Sequence, residues 1–462
     1  MKVLLILISG LIWIPAVCQP TNLTAEQDSV RRIREEKMKE FRRQREIYER
    51  MYAENPRSAV EWKIDQRINK LSGRSRLENY QKNQRIDTLR EIDLTSAGLT
   101  KVPDFVLKAK NLEILVLDDN QIKKLPKELE KLTKLKRIYW RGNKLDNLWW
   151  IRIPKIKDLE RFDISDNLLS RMPLGVRKLE GLSELVAEEN FFGEVPVSRL
   201  KKASFIRILS MNKSHDLTLG ENQYQKLGFL KVFKANKCQL NAIDASLYKL
   251  AGLNELQLQE NELKAIPEGI SQMSNLTKLS FYKNELQTLP PDLFDLNLKV
   301  IDLYYNELEV ISPEIGNLKD LEILFLAHNK IYSIPETLGD LKKLDELYLH
   351  HNRLSVLPQS LSDLKKLRVV RVNDNYLVDF PTQFLGIQSL EDFDISNNQI
   401  TTIPERLADQ KNLHLFTYQE NPMDFNSREN AHLAKMIYQM SEEGVICVPR
   451  VYQEMVQEKA DD

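Results

Sequence analysis

Apolar residues recur along this chain with a period of 23 residues, which is itself a structural signal. The frame LxxLxLxxNxLxxLPxxLxxLxx fits fifteen copies between Leu89 and Phe425, and Leu344–Lys366 fills it completely. Positions 4 and 6 of the frame are apolar, whereas positions 3, 5 and 7 are polar or variable. This alternation predicts a short strand with one buried face. The copies start at residues 89, 112, 135, 159, 182, 205, 230, 253, 276, 298, 321, 344, 367, 390 and 413.

Two other positions of the frame predict turns. Position 9 is Asn in twelve copies, and an amide can satisfy both backbone donors and backbone acceptors at a buried turn. Pro follows position 14 in ten copies, where it ends the local structure. A unit of this length cannot bury its own apolar face, so neighbouring copies must stack. The sequence therefore predicts a solenoid.

The residues that fill this frame resemble those of the leucine-rich repeat superfamily. The 23-residue form with Leu-Pro is similar to that of the Ras-group intracellular repeat proteins of plants and animals and of many bacterial proteins. The resemblance covers about three quarters of the chain. It implies an α/β solenoid, a horseshoe with a parallel β-sheet on its concave face, where binding residues usually lie. Because this family is broad in function, the resemblance by itself identifies no partner.

Residues 1–18, MKVLLILISGLIWIPAVC, predict a secretory signal peptide. The apolar run is shorter than the ~20 residues that a membrane-spanning helix needs, and small residues precede Gln19. The alternative is a bacterial lipoprotein acylated at Cys18, although Pro15 and Val17 fit the acylation motif poorly. We therefore expect a secreted, periplasmic or cell-surface protein, with no transmembrane segment after the signal.

The ends of a solenoid need covers, because terminal repeats would otherwise expose core leucines to water. We expect residues 19–88 to form a charged helical N-terminal cap, with capping boxes at Thr24 and Ser58 and a helix end at Gly73. The leucine-rich repeat domain would span 89–425. Residues 426–462 would form a C-terminal cap and tail, with a helix from about Ser427 to Glu443. A partner-binding role for the N-terminal segment is an alternative.

Charge and cysteine content narrow the class of protein. The chain has 67 basic and 67 acidic residues, a balance that argues against nucleic-acid binding. After signal removal only Cys238 and Cys447 remain, separated by eight repeats at ~4.8 Å per strand, so we expect no disulfide scaffold. The absence of cysteine clusters at the ends differs from animal receptor ectodomains and favours a bacterial origin.

The outward positions of repeats nine to thirteen carry aromatic and imidazole side chains and end in an arginine. Adjacent strands lie ~5 Å apart, so these side chains would form one surface. Aromatic residues and arginine are typical of interface hot spots, whereas repeats four and five carry mainly acids at these positions. The alternative is that aromatic residues are simply good strand formers. We call this surface the aromatic patch: Tyr282, Tyr304, Tyr305, Phe325, His328, Tyr348, His350, His351 and Arg371.

We predict a non-enzymatic binding module that recognises a protein or peptide, because a broad shallow surface suits a large ligand. The main contacts would be Tyr304, Phe325, Tyr348, His350 and Arg371. The alternative is a structural or adhesive cell-surface protein; an enzyme or metal-binding protein ranks third. No catalytic motif occurs in the sequence and no cofactor is expected. His350 and His351 are consecutive on a predicted strand and should point to opposite sides unless the strand has already turned, so no metal site is expected.

Two repeats depart from the frame. Repeat six, starting at Phe205, has Ser210 at a core position and Lys213 where Asn is expected, and we expect it to bulge. Repeat three replaces Leu-Pro by Leu148-Trp149-Trp150. We expect these two tryptophans to pack against the N-terminal helices; a second binding edge is the alternative.

Overall fold

Each repeat contributes one three-residue strand, and the strands form a single parallel sheet of sixteen, hydrogen-bonded in chain order. The protein is described from a computed structural model, which covers residues 72–447 apart from 84, 146–152, 204, 426 and 429. The signal peptide, the capping boxes at Thr24 and Ser58, and Trp149 with Trp150 lie outside the described residues. No helix within the described residues is long and apolar enough to cross a membrane.

The strands occupy positions 3 to 5 of the repeats, followed by one more strand after the last repeat. They are β1 Glu91–Asp93, β2 Ile114–Val116, β3 Arg137–Tyr139, β4 Arg161–Asp163, β5 Glu184–Val186, β6 Ile208–Ser210, β7 Val232–Lys234, β8 Glu255–Gln257, β9 Lys278–Ser280, β10 Val300–Asp302, β11 Ile323–Phe325, β12 Glu346–Tyr348, β13 Val369–Arg371, β14 Asp392–Asp394, β15 Leu415–Thr417 and β16 Ile446–Cys447.

The apolar frame positions form one continuous core, as the alternation predicts. Leu344, Leu347 and Leu349, which are positions 1, 4 and 6 of the complete copy, are fully buried. Short 3-10 helices precede the first strand and connect many of the later strands, and many of them follow a proline. They span 86–88, 106–108, 127–131, 174–178, 224–227, 245–249, 270–272, 291–295, 313–317, 336–340, 359–363, 382–386 and 405–409.

The position-9 asparagines form a ladder of amides under the turns, and the predicted role of these side chains is confirmed. Asn352 donates from Nδ2 to the carbonyl oxygens of Leu326 and Leu349, both at 3.0 Å. Its Oδ1 accepts from the backbone N–H of Ile331 at 3.0 Å. One side chain therefore ties together two consecutive repeats whose backbone groups are out of reach of water.

The residue before each asparagine has a left-handed backbone, which the sequence analysis did not anticipate. In all fifteen repeats position 8 has positive φ; for example, φ is 54° at Tyr305, 50° at His328 and 52° at His351. Such φ is uncommon for residues other than glycine and favours Asn, Asp and His. The chain thus leaves the strand and turns sharply before it reaches the buried amide.

The described part of the N-terminal segment contains helix α1, Gly73–Lys82, which begins at an N-cap on Ser72. The prediction that a helix ends at Gly73 is wrong, because Gly73 is the first residue of α1. A Cβ there would lie 2.2 Å from the carbonyl oxygen of Thr95, so glycine permits close contact with the first repeat. Arg76 also donates to that oxygen at 2.6 Å, and its Nε lies 3.6 Å from Asp93 in β1.

The C-terminal end carries helix α3, Leu433–Glu442, which is shorter than the predicted 427–443. The helix ends before Gly444, whose φ of 95° is left-handed. The chain then adds β16 to the sheet, and Ile446 of β16 pairs with Leu415. The repeat frame does not predict β16. Cys447 in β16 and the buried Cys238 are both free thiols.

Repeat six differs from its predicted phase by one residue. Ile208 pairs with Glu184 and with Val232, so the copy starts at Ile206 and Ser210 occupies an outward position. Phe205 is 52% exposed, which excludes it from the core. Ser214, not Lys213, takes the place of the asparagine and is fully buried. The only other described α-helix, α2, Val197–Leu200, precedes this repeat.

Candidate functional site

Strands β9 to β13 bring the nine residues of the aromatic patch onto one face of the sheet. Register places Phe325, Tyr348 and Arg371 side by side at position 5 of successive strands. At position 7, the rings of Tyr282 and Tyr304 stack with centroids 5.9 Å apart and an interplanar angle of 7°. The patch is therefore continuous across the five repeats.

The left-handed position 8 builds a second row of rings beside the first. Tyr305 stacks on His328 with centroids 4.1 Å apart, and His328 stacks on His351 at 4.0 Å, both at an interplanar angle of 21°. The Tyr304 ring meets Tyr305 edge-on at 4.6 Å, which joins the two rows. Because positions 7 and 8 both present side chains on this face, each repeat offers more surface than a straight strand would.

Tyr348 is the most buried member of the patch, at 6% exposure, and the expectation that it faces solvent is wrong. It packs in a small apolar cluster with Ala327 and Val369, and its ring stacks on Phe325 at 4.7 Å. Its hydroxyl donates to Glu346 at 2.9 Å. Burial raises the pKa of Tyr348 well above its usual value, and the neighbouring Glu346 carboxylate adds to the shift. Tyr348 therefore packs beneath the exposed rings of the aromatic patch and stabilises their positions.

Arg371 is held by the protein itself. A guanidinium nitrogen lies 2.8 Å from the Asp392 carboxylate, and only 11% of the arginine side chain and 3% of the aspartate side chain are exposed. The guanidinium carbon also lies 6.0 Å from the centroid of Tyr348. An arginine fixed in this way closes one end of the patch and is poorly placed to move toward a ligand.

Three histidines of the patch converge, an arrangement that the sequence analysis allowed only if the strand had already turned at His350 and His351. The strand ends at Tyr348 and His351 has a φ of 52°, so the chain has already turned when it reaches these residues. The ring centroids of His350 and His351 lie 5.6 Å apart, and His328 lies 5.6 Å from His350. One ring nitrogen from each of the three lies within 4.8 Å of the others.

The family models agree with the observed repeats. A model described as leucine rich repeat matches residues 87–145, 274–331, 296–354 and 319–377, and another of that description matches 389–409. The solved structure of a leucine-rich repeat protein from Leptospira interrogans is 26% identical and has a TM-score of 0.68. The alignment covers 81% of this chain and 98% of that one. The chain belongs to the leucine-rich repeat superfamily.

Two structures of complexes share the leucine-rich repeat fold at lower identity. Drosophila Toll, solved in complex with Spatzle, is 20% identical with a TM-score of 0.61, over 71% of this chain and 47% of that one. A plant peptide hormone receptor, RGFR1, solved with RGF2, is 23% identical with a TM-score of 0.53, over 70% and 53%. This chain thus spans about half of either of those chains. Comparison with curated proteins gives no match.

The N-terminal half of the leucine-rich repeat sheet holds buried charges that the sequence analysis did not identify as buried. Arg161 and Glu184 pair at 2.5 Å with side chains 4% and 7% exposed. Burial, reinforced by Asp163, raises the pKa of Asp118 to about 8. The sequence indicated this ion pair, because Arg161 and Glu184 carry opposite charges at position 3 of successive copies. These repeats contrast with the aromatic patch in chemistry, but much of their charge is already paired within the protein.

Proposed function

We propose that this leucine-rich repeat protein is a non-enzymatic binding protein that recognises a protein or peptide through the aromatic patch. The observation that carries the proposal is the continuity of the patch: stacked and edge-on rings run from Tyr282 to His351 without interruption. Stacked rings lose little conformational entropy on binding, and aromatic residues supply much of the binding free energy at protein interfaces.

The burial of individual residues refines the predicted contacts. Tyr282, Tyr304, Tyr305 and Phe325 are partly exposed, so they can contribute area to a ligand. Tyr348 and Arg371 would act instead by holding the exposed rings in place. The structures of Toll with Spatzle and of RGFR1 with RGF2 support the proposal only as examples of protein ligands on this fold.

The proposal includes export of the protein. Residues 1–18 have the charge and apolar run of a signal peptide, which would deliver the leucine-rich repeat domain to the cell surface, the periplasm or the medium. Acylation at Cys18 would instead anchor it. The segments 19–88 and 426–462 would act as caps. The contacts of α1 with β1, and of α3 with the 3-10 helix 405–409 and with β16, are consistent with that role.

A quantitative pull-down from the envelope or host extract tests the proposal. The wild-type protein would be compared with a Tyr282→Ala/Tyr304→Ala/Phe325→Ala variant that leaves the buried Tyr348 intact. The matched control, Tyr332→Ala/Tyr376→Ala/Tyr438→Ala, removes three rings that lie outside the strands and are 55%, 53% and 67% exposed.

We expect one or more proteins to be retained by the wild type and the control and lost by the patch variant. The interaction would then be measured with the purified partner. Equal retention by all three proteins would contradict the proposal and move the binding surface elsewhere. Retention of nothing by any of them would contradict it as well and favour a structural role.

A further inference from the structure

The three converging histidines of the aromatic patch can serve as a ligand set. His328, His350 and His351 are half of the six histidines in the chain, and they come from two adjacent repeats. One nitrogen from each lies within 4.8 Å of the others. In a tetrahedral zinc site with Zn–N bonds of ~2.0–2.1 Å, nitrogen ligands stand about 3.4 Å apart. The rings of His328 and His351 stack at 21°, so binding requires a rotation of these two partly exposed side chains that turns their in-plane nitrogen lone pairs toward one ion.

Neighbouring side chains are placed to orient two of the rings. The Tyr304 hydroxyl lies 3.1 Å from Nε2 of His350. A carboxylate oxygen of Asp374 lies 3.3 Å from Nδ1 of His351, and the Asp374 side chain is only 9% exposed. Metal-bound histidines commonly have their second nitrogen held by a carboxylate or another polar group, which fixes the tautomer. This arrangement would direct Nδ1 of His350 and Nε2 of His351 toward the ion.

The donor chemistry selects the class of metal. Imidazole suits zinc, copper, nickel and related divalent transition metals, whereas calcium and magnesium require several oxygen ligands. Three protein ligands leave one coordination position of a tetrahedral ion for water or another donor. We propose that His328, His350 and His351 form a binding site for a divalent transition-metal ion, with Zn²⁺ as the ion to test. This inference concerns the chain alone and does not depend on a partner.

Zinc binding is measured on the untagged protein, after removal of metals, by competition with a chromophoric chelator. We expect one equivalent of Zn²⁺ to bind to the wild type. The variants His328→Asn and His350→Gln should each weaken binding by at least about tenfold. Asn is chosen at residue 328 because it tolerates the left-handed backbone there. The control His215→Gln/His414→Gln removes two exposed histidines outside the cluster and should bind as the wild type does.

Co²⁺ provides a second readout, because its visible absorption is strong only at low coordination number. Circular dichroism and the melting temperature would establish that each variant is folded. Absence of one-equivalent Zn²⁺ binding, or equal weakening in the control, would overturn the inference. Partner capture by a protein that binds no zinc would leave the proposed function standing, so the two proposals fail separately.

Discussion

Replacing Tyr348 by Ala tests whether the outward face of the sheet has a core of its own. The side chain is 6% exposed and packs against Ala327, Val369 and Phe325. An aromatic residue buries roughly 150–250 Å². At about 25 cal/mol per Å² this corresponds to ~4–6 kcal/mol, and measured Phe or Trp truncations cost about 3–5 kcal/mol. We expect Tyr348→Ala to lower the free energy of unfolding by about 3–5 kcal/mol.

The measurement is urea unfolding followed by circular dichroism, provided that each protein shows a single transition. Leu347→Ala, on the main-core side of the same strand, should cost about 2–5 kcal/mol. Tyr348→Phe removes only the hydroxyl that donates a hydrogen bond to Glu346, and it should lower the free energy of unfolding by about 1–2 kcal/mol. Tyr332→Ala is the control, because that ring is 55% exposed, and should be nearly neutral. A loss below about 1 kcal/mol for Tyr348→Ala beside a full loss for Leu347→Ala would refute the reasoning.

Three other substitutions test separate features. Asn352→Ala leaves buried backbone groups of two repeats without their amide partner and should cost about 3 kcal/mol or more in urea unfolding; a loss under about 1 kcal/mol would contradict the role of the ladder. Asp118 has a pKa of about 8 in the folded protein, above its value in the unfolded chain. Its contribution to the free energy of unfolding is therefore fully present below the pKa of the unfolded chain and is lost as pH rises toward 8. The melting-temperature advantage of Asp118→Asn should therefore grow between pH 5 and pH 8, and a constant difference would exclude this pKa. Lys283→Asn should stabilise the protein by about 0.5–1 kcal/mol, because Lys283 has a φ of 54° and Asn tolerates it better; Lys283→Val should do the opposite.

The repeat fold was predictable because its signals are local and are repeated fifteen times. Leu347 and Asn352 each follow from one frame position, and no contact from a distant part of the chain overrides it. The phase of repeat six was not predictable in this way. Phe205 and Ile206 are both apolar, and only the pairing of Ile208 with its neighbours distinguishes the two frames. β16 was missed for a similar reason, since it lies outside the frame and depends on α3 bringing it back to β15.

The members of the aromatic patch were predicted, but their individual environments were not. Tyr348 is buried by side chains about one period away on each side, Phe325 and Val369, so its exposure depends on neighbouring copies and not on its own. Reading position 3 and position 5 together across adjacent copies would have indicated this small cluster. The convergence of His350 and His351 depended on a backbone conformation, the left-handed position 8, that the hydrophobic pattern does not encode.

The dimensions of the aromatic patch limit the ligand that it can hold. Five strands span four intervals of ~4.8 Å, about 19 Å, and positions 5 to 8 extend roughly 10 Å along the chain. The resulting flat footprint of about 200 Å² is small beside a stable protein interface, in which each partner buries ~800 Å² of accessible surface. A whole protein face would therefore need additional contacts with the charged repeats on either side. An extended peptide or a projecting loop could fill the aromatic patch by itself, and its affinity would then depend on the exposed rings more than on the flanking charges.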